Sequence, residues 1–338
     1  MNARLDSARK ISAAIDRLDD SEVRALVDTA QKVGVGIGGT TRKAHVDGAQ
    51  VFVKQLPITV TEEADPFATV NHNGLPFVSH YGIGSPSHGV GRELAAHQMT
   101  SDWVQSGAVD FFPLLLGWRI INLQSEIDLS EFHEVGPQHQ WGASWPQVET
   151  KLRELKAARS SMVLFLEYVP ETLGTFIRRN LAEGNGESDF TDVVKQIAEA
   201  TAWMAKQQFQ HFDVHPGNIL VRESRLLFTD FGLSLHPEFV LTPDEESAMP
   251  SHADFDNDSA LMHLFHWVLF ELGYTSAEGR LALLRAAAAD GFAPDFDPVR
   301  AALGSGADLI AEYANVVVRM SEMFAILTRD AFGARYCC

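Results

Sequence analysis

His211-Phe212-Asp213-Val214-His215-Pro216-Gly217-Asn218-Ile219-Leu220-Val221, then Leu226-Leu227-Phe228 and Asp230-Phe231-Gly232, is the stretch whose reading decides the fold. Two short apolar runs, 219–221 and 226–228, flank the polar turn Glu223-Ser224-Arg225, which predicts a hairpin of short strands between two loops. Such a hairpin puts Asn218 and Asp230 near the same end of adjacent strands. Two oxygen donors at one strand end suit a hard cation such as Mg²⁺, which also needs water and phosphate oxygens. Asp213 stands apart from that pair and can accept a proton.

The joint pattern resembles the catalytic and metal-binding segments of the protein-kinase-like superfamily, where an H-x-D-x-x-x-x-N loop precedes D-F-G. A polar loop beside an ordinary hairpin is the plain alternative, and a lone D-F-G would carry little weight. The resemblance implies an α+β, bilobal protein-kinase-like fold, with a small antiparallel-sheet N-lobe and a mostly helical C-lobe. It implies ATP and Mg²⁺, with Asn218 and Asp230 as metal ligands and Asp213 as the catalytic group that orients and deprotonates an acceptor hydroxyl. A carboxylate is a weak base near neutral pH, so orientation is its larger contribution.

The chain of 338 residues is long enough for two lobes, and its 46% hydrophobic and 21% charged residues are those of a globular protein. No apolar run approaches the roughly 20 residues of a membrane span, and charges interrupt the N-terminal apolar residues where a signal peptide would need a continuous stretch. A cytoplasmic chain is expected. Both cysteines, Cys337 and Cys338, are terminal, so no disulfide framework exists. The pair reads as a frayed end, with metal, redox or lipid chemistry as the alternative. The net charge of -18 comes without a basic stripe, which argues against nucleic acid as a partner. It would steer in a cationic substrate or basic surface, or simply serve solubility.

Residues 1–32 are expected to hold two amphipathic helices that pack on the following lobe, with partner docking as the alternative: Leu5, Ala8, Ile11, Ile15 and Leu18 recur at helical spacing, as do Val23, Leu26, Val27 and Ala30. Asp19 and Glu22 form a capping-box start. Gly34, Gly36 and Gly39 then satisfy G-x-G-x-x-G, where glycine lets backbone approach phosphate. Alone this is weak and equally a hairpin turn. Val51-Phe52-Val53-Lys54 follows as an alternating strand, and Asp47-Gly48 predicts a hairpin where a dinucleotide-binding unit would have a helix. Glycine loop, strand and lysine resemble the kinase nucleotide lobe, which implies Lys54 on the phosphates; an exposed strand-end lysine is the alternative.

Within an N-lobe of 33–166, residues 57–91 read as an irregular insertion, densest at Tyr81-Gly82-Ile83-Gly84-Ser85 through Gly89-Val90-Gly91. Loops of that length are usually functional or mobile. A helix starts near Gly91 with Arg92-Glu93-Leu94, and by resemblance Glu93 is the partner that orients Lys54. Glu62 and Glu63 lie closer in sequence but in unhelical text near Pro66. Residues 111–122 read as a strand pair, 124–145 as a polar acidic loop and 146–158 as a helix. Residues 162–170 read as a buried strand entering a turn. The resemblance makes this the hinge, where backbone groups of Glu167 and Val169 hold the adenine edge; a core strand is the alternative.

The remainder, 167–338, is expected to be the C-lobe. Helices are predicted at 172–181 and 190–209, the latter with Val193, Ile197, Ala200 and Met204 on one face. A proline-containing loop covers 233–252. The Asp254, Asp256, Asp258 run is no calcium loop, since Ser259 and Phe265 stand where glycine and glutamate are needed. Asp256 is instead the candidate to cap a helix at 259–272 and bond the catalytic loop. Further helices are predicted at 276–290, 297–303 and 306–332. A zinc site at His211, Asp213 and His215 is set aside, because Pro216-Gly217 breaks the strand and such a histidine usually bonds backbone.

Phe212 stands where protein kinases carry the arginine that pairs with a phosphorylated activation loop, so no such switch is expected, and His215 replaces a lysine. His215-Pro216-Gly217-Asn218-Ile219-Leu220 is closer to aminoglycoside phosphotransferases and choline kinases, whereas Asp230-Phe231-Gly232 looks like a protein kinase. The 81–85 and 92–97 segments look like the kinase-like proteins of actinobacterial peptide natural-product pathways of the lanthipeptide and thioamitide type. There a precursor Ser or Thr is phosphorylated and a separate lyase eliminates the phosphate. The resemblance therefore implies an ATP- and Mg²⁺-dependent phosphotransferase acting on a peptide hydroxyl, beside a lyase partner. The alternatives are a kinase for a small cationic alcohol and a non-catalytic scaffold. Against the scaffold stands the intact set of Lys54, Asp213, Asn218 and Asp230.

Overall fold

The hairpin that leads into the Lys54 strand closes at Asp47 and Gly48, whose φ of 50° and 78° are those a two-residue turn between twisted strands requires. In this computed structural model, residues 2–82, 85–86, 88–132, 137–290 and 296–336 are described. Ile83, Gly84 and Ser87 of the glycine-rich stretch, 133–136 of the acidic loop and the Cys337-Cys338 tail lie outside the described residues. In chain order the elements are α1 (Asn2–Asp16), α2 (Asp20–Thr29), β1 (Gln31–Gly36), β2 (Gly39–Val46), β3 (Ala49–Ile58), α3 (Val90–Gln105), β4 (Leu115–Ile121), α4 (Pro137–Trp141), α5 (Trp145–Ala157), β5 (Ser160–Glu167), β6 (Glu171–Thr172), α6 (Leu173–Glu183), α7 (Gly186–Lys206), β7 (Ile219–Arg222), β8 (Arg225–Phe228), α8 (Pro243–Ala248), α9 (Phe255–Glu271), α10 (Ala277–Asp290), α11 (Asp297–Leu303) and α12 (Ala307–Leu327). The expected α+β class, an antiparallel sheet followed by helices, is what the chain adopts, consistent with a bilobal kinase-like fold.

One compact unit comprises Met1–Val169 with Asp230–Ser247, the other Pro170–Thr229 with Ala248–Cys338. The N-terminal helices and residues 230–247 both belong to the sheet-bearing unit. The pull on 230–247 is physical: Phe231 is buried, its ring 4.7 Å from that of His97 and 5.9 Å from that of Phe112.

In the first unit the sheet runs β1-β2-β3-β5-β4, all neighbours antiparallel. Leu56, Ile58, Met162, Leu164 and Leu166 of β3 and β5 form a core cluster with Val90 and Leu94 of α3. Each such side chain contributes about 1.5–3 kcal/mol by leaving water. On β4, Gly117 makes room for α1: a Cβ there would lie 2.9 Å from Ile15 Cγ2. The Asp19–Glu22 capping box opens α2. Residues 59–82 are anchored at particular points, although Val60, Phe67 and Val70 are exposed. Asn71 bonds both the N–H and the carbonyl of Leu75, and buried Glu62 accepts the Val90 N–H that begins α3.

Three expectations need correction. Residues 111–122 hold one strand, β4, because Pro113 lacks an N–H and Arg4 takes the Asp110 and Phe112 carbonyls. Residues 233–252 are not all loop: Pro243 opens α8 with Asp244, Glu245 and Glu246 in its first turn. Finally, α9 begins at Phe255, so Asp256 lies inside its first turn and caps nothing.

In the second unit β6, β7 and β8 form a small sheet. Thr172 caps α6 through a capping box, and Gly174 lets Trp267 of α9 lie against α6, its Nε1 donating to the Gly174 carbonyl at 3.3 Å. Ile197, Met204, Leu264, Phe265, Val268 and Val317 are fully or nearly fully buried among α7, α9 and α12. No helix of the described residues is long and apolar enough to cross a membrane.

Candidate functional site

Lys54, Glu93 and Asp230 come together in the first unit. Lys54 projects from β3, and its Nζ lies 2.5 Å from Glu93 Oε1 of α3 and 2.8 Å from Asp230 Oδ1. The Lys54 and Glu93 side chains are 9% and 1% exposed, that of Asp230 42%. Burial works against a charged Lys54, but the carboxylates of Asp230 and Glu93 outweigh it and raise its pKa. Burial raises that of Glu93, with the Lys54 ammonium acting against the rise. Asp230 is left-handed, φ 68°, an unusual backbone state for a non-glycine residue.

The three motif glycines differ in kind. A Cβ on Gly39, φ 122°, would meet the Gln55 carbonyl oxygen at 2.0 Å, so only glycine lets β2 approach β3 there. Gly34 has Thr41 Oγ1 at 3.3 Å from its would-be Cβ. Gly36, at the β1–β2 turn, has nothing within 4 Å of its own, so its surroundings are open. The carbonyl of Gly36 accepts the Asp128 N–H at 3.1 Å, which ties the turn to the acidic loop.

Glu167 ends β5 and Val169 ends the first stretch of the unit. The Glu167 N–H donates to the Leu114 carbonyl at 2.8 Å, and its carboxylate receives Arg4 Nε at 2.9 Å and Nη2 at 2.6 Å. Arg4 also reaches the carbonyls of Asp110 and Phe112, so a residue of α1 fixes the strand end.

Asp213 and Asn218 come together in the second unit. Asn218 Nδ2 donates to Asp213 Oδ2 at 2.8 Å and to the Asp213 carbonyl at 3.1 Å. The hairpin register pairs Ile219 with Phe228, and the Thr229 N–H donates to the Asn218 carbonyl, which sets Asn218 across from the residue before Asp230. His211 is fully buried and bonds backbone on both sides: Nε2 meets the Thr229 carbonyl at 3.0 Å and Nδ1 accepts the Asp213 N–H. His215 Nδ1 accepts the Gly217 N–H at 3.0 Å, which leaves the proton on Nε2, 3.8 Å from Asp213 Oδ1.

Phe212 is left-handed, φ 64°, and buried against Phe255 at 5.1 Å between ring centres. Such a conformation costs about 1–3 kcal/mol unless held. Asp256 holds it, accepting the N–H of His211 through Oδ2 and of Phe212 through Oδ1, both at 2.7 Å. Burial raises the Asp256 pKa, with His211 and the two N–H bonds acting against the rise.

Residues 147–239 match the protein kinase domain family. The match supports the protein-kinase-like superfamily; it takes in Asp213, Asn218 and Asp230 and stops short of Lys54 and Glu93. No curated protein matches the chain.

Against that superfamily's use of ATP and Mg²⁺, each candidate ligand is of the right chemical type taken by itself. Asn218 gives its amide N–H₂ to Asp213, leaving an amide oxygen, and Asp230 carries a carboxylate; both are hard oxygen donors. A second group was not legible in the sequence: His80, His88 and Glu245 bring ligating atoms within 4.8 Å of one another. It does not fit a metal. Arg92 already holds both Glu245 oxygens, at 2.7 and 3.0 Å, and the two imidazoles are stacked 3.8 Å apart at 9°, so their lone pairs run parallel instead of converging. Arg4 was missed too, since nothing local in α1 points to a contact 163 positions away.

Proposed function

We infer that this chain is an ATP- and Mg²⁺-dependent phosphotransferase that places phosphate on a hydroxyl, and that the acceptor is a Ser or Thr of a peptide. The observation that carries the reading is the buried Lys54 ammonium held by Glu93 and by the aspartate of Asp230-Phe231-Gly232. A lysine kept charged by two carboxylates is suited to phosphate oxygens. In this reading Lys54 and the glycine hairpin of Gly34, Gly36 and Gly39 bind the ATP phosphates, Glu93 orients Lys54, and backbone at Glu167 and Val169 meets the adenine edge. Asn218 and Asp230 are the residues that would hold Mg²⁺, which when bound neutralises phosphate charge. The acceptor oxygen bonds to the γ-phosphorus, the bond from that phosphorus to the bridging oxygen of ADP breaks, and the acceptor proton passes to the Asp213 carboxylate. Positioning supplies most of the effect.

The peptide acceptor is supported by the resemblance of the 81–85 and 92–97 segments to kinases that work with a phosphate-eliminating lyase, and such a lyase is the proposed partner. The net charge of -18 favours a second reading, a small cationic alcohol such as an aminoglycoside or choline. The test is mass spectrometry of the chain with MgATP and a panel of Ser/Thr peptides, aminoglycosides and choline. One added phosphate on a peptide supports the first reading, and on a cationic alcohol the second. Phosphate on neither, with nucleotide binding intact, would leave a non-catalytic scaffold.

A further inference from the structure

After Asp230 the chain stays within the first unit as far as Ser247, and its ties run repeatedly to α3 and the residues before it. The Gly232 carbonyl accepts the His88 N–H at 3.3 Å, and the Leu233 carbonyl meets His80 Nδ1 at 2.7 Å. Val240 gives its N–H to Thr69 Oγ1 at 2.9 Å, and its carbonyl accepts from Arg92 Nη2 at 3.2 Å. Past these backbone contacts comes the segment's charged anchor, Glu245, fully buried. Its carboxylate accepts from Arg92 Nη1 on Oε1, from Arg92 Nη2 on Oε2 and from the Thr242 N–H on Oε2 at 2.8 Å, and His80 Nε2 lies 3.1 Å from Oε1.

Arg92 and Glu93 are neighbours in the first turn of α3. Glu93 faces Lys54, which binds Asp230 at the start of the segment, and Arg92 faces Glu245 near its end. The same helical turn is thus gripped from both ends of one segment. We propose that Glu245 is a positioning residue: it closes residues 230–245 on α3 and holds Lys54, Glu93 and Asp230 in one arrangement with no covalent modification of the segment. Its consequence for turnover rests on the phosphotransferase reading; its consequence for structure does not. Arg92 is 1% exposed, so losing the Glu245 charge strands a buried guanidinium.

The test compares wild type, Glu245→Gln, which keeps the shape and removes the charge, and Glu245→Asp, which keeps the charge on a shorter arm. Hydrogen exchange at 231–242 and in the first turn of α3 rises at least tenfold in Glu245→Gln and less in Glu245→Asp. The control Arg178→Gln, which breaks a surface pair with Glu271 in the other unit, leaves that exchange unchanged. With a working acceptor, kcat falls tenfold or more in Glu245→Gln while KM for MgATP changes less than threefold, and Glu245→Asp recovers part of the loss. Wild-type exchange in Glu245→Gln overturns the proposal. Should Glu245→Gln not fold, intact-mass analysis of wild type decides. Full protection of 231–242 in unmodified protein supports the proposal; protection only in protein phosphorylated at Ser234, Thr242 or Ser247 overturns it. A wild type that phosphorylates no acceptor refutes the phosphotransferase reading, and the exchange contrast still decides the role of Glu245.

Discussion

The Lys54 ammonium and the Glu93 carboxylate lie 2.5 Å apart with both side chains buried, and Asp230 shares the same ammonium. Glu93→Gln therefore leaves Lys54 paired, and its expected effect is on function: a 10- to 100-fold loss in kcat/KM, about 1.4–2.7 kcal/mol of transition-state binding. Lys54→Met is different, because it leaves Glu93 buried with no counter-charge. Burial already raises the Glu93 pKa, and without Lys54 it rises further. A carboxyl whose folded pKa lies above its unfolded one binds its proton better when folded, so it costs stability as pH rises above the unfolded value near 4.3. Thermal unfolding from pH 5 to 8 should show Lys54→Met losing stability relative to wild type as pH increases. A parallel pair of curves would refute the buried-charge account.

Gly36 and Gly39 separate phosphate approach from chain geometry. Gly39→Ala drives a Cβ into the Gln55 carbonyl at a positive φ and should destabilise the protein by several kcal/mol, on the order of the largest single-substitution effects. Gly36→Ala meets open space and should leave the melting temperature nearly unchanged. A rise in KM for ATP in Gly36→Ala at unchanged stability would place the phosphates near that turn.

Asp256 holds the loop before Asp213 through the N–H groups of His211 and Phe212. Asp256→Ala takes the carboxylate acceptor from two buried N–H groups, at about 1–3 kcal/mol each, and frees Phe212 to leave its left-handed state. Urea unfolding should show a loss of about 2–5 kcal/mol, and any turnover should fall with it. Asp256→Asn, which keeps one acceptor oxygen, should lie between.

Arg4 ties α1 to the end of β5. Arg4→Ala takes the guanidinium from the partly buried Glu167 carboxylate, which still accepts the Leu114 N–H, and removes a donor from the Asp110 and Phe112 carbonyls. A buried charge without its partner typically costs about 3–5 kcal/mol, and the side-chain exposure of 17% at Glu167 puts the expected loss below that range. Isothermal titration should show weaker ATP binding if Glu167 and Val169 meet the adenine, and unchanged binding if they do not.

What was legible in the sequence was what is local. The 219–221 and 226–228 runs read directly as β7 and β8, the Asp19 and Glu22 pair as the start of α2, and Asp47-Gly48 as a turn. The helix carrying Glu93 was legible from 91–99 alone, one residue after its observed start at Val90. What escaped depends on long contacts. Glu245 meets Arg92 across 153 positions, and the inward path of 230–247 is set by burial of Phe231, which a Pro-rich stretch does not advertise. The 111–122 stretch failed for a reason of its own: apolar residues beside Pro113 look like strand, while their carbonyls are claimed by Arg4 from another helix.

His263 and His266 of α9 should give the protein an acid-sensitive stability. Burial comes first, followed by nearby positive charge, and together they push His263 down to about 3 and His266 to about 4. The neutral form of His266 is also bound in place, since its Nδ1 accepts from Arg280 Nε at 3.2 Å and its Nε2 faces Ser321 Oγ at 2.8 Å. A histidine near 6.5 in the unfolded chain takes a proton there before it does in the fold. The unfolded state then holds more protons, and stability falls as pH drops from about 6.5 toward 4, by at most about 1.4 kcal/mol per pH unit for each histidine. In His263→Phe the ring that packs 5.5 Å from Phe324 is replaced by one that cannot titrate. Urea unfolding at pH 7, 6 and 5 should show a shallower loss in this variant than in wild type, and equal slopes would mean that His263 takes up its proton without opening the fold.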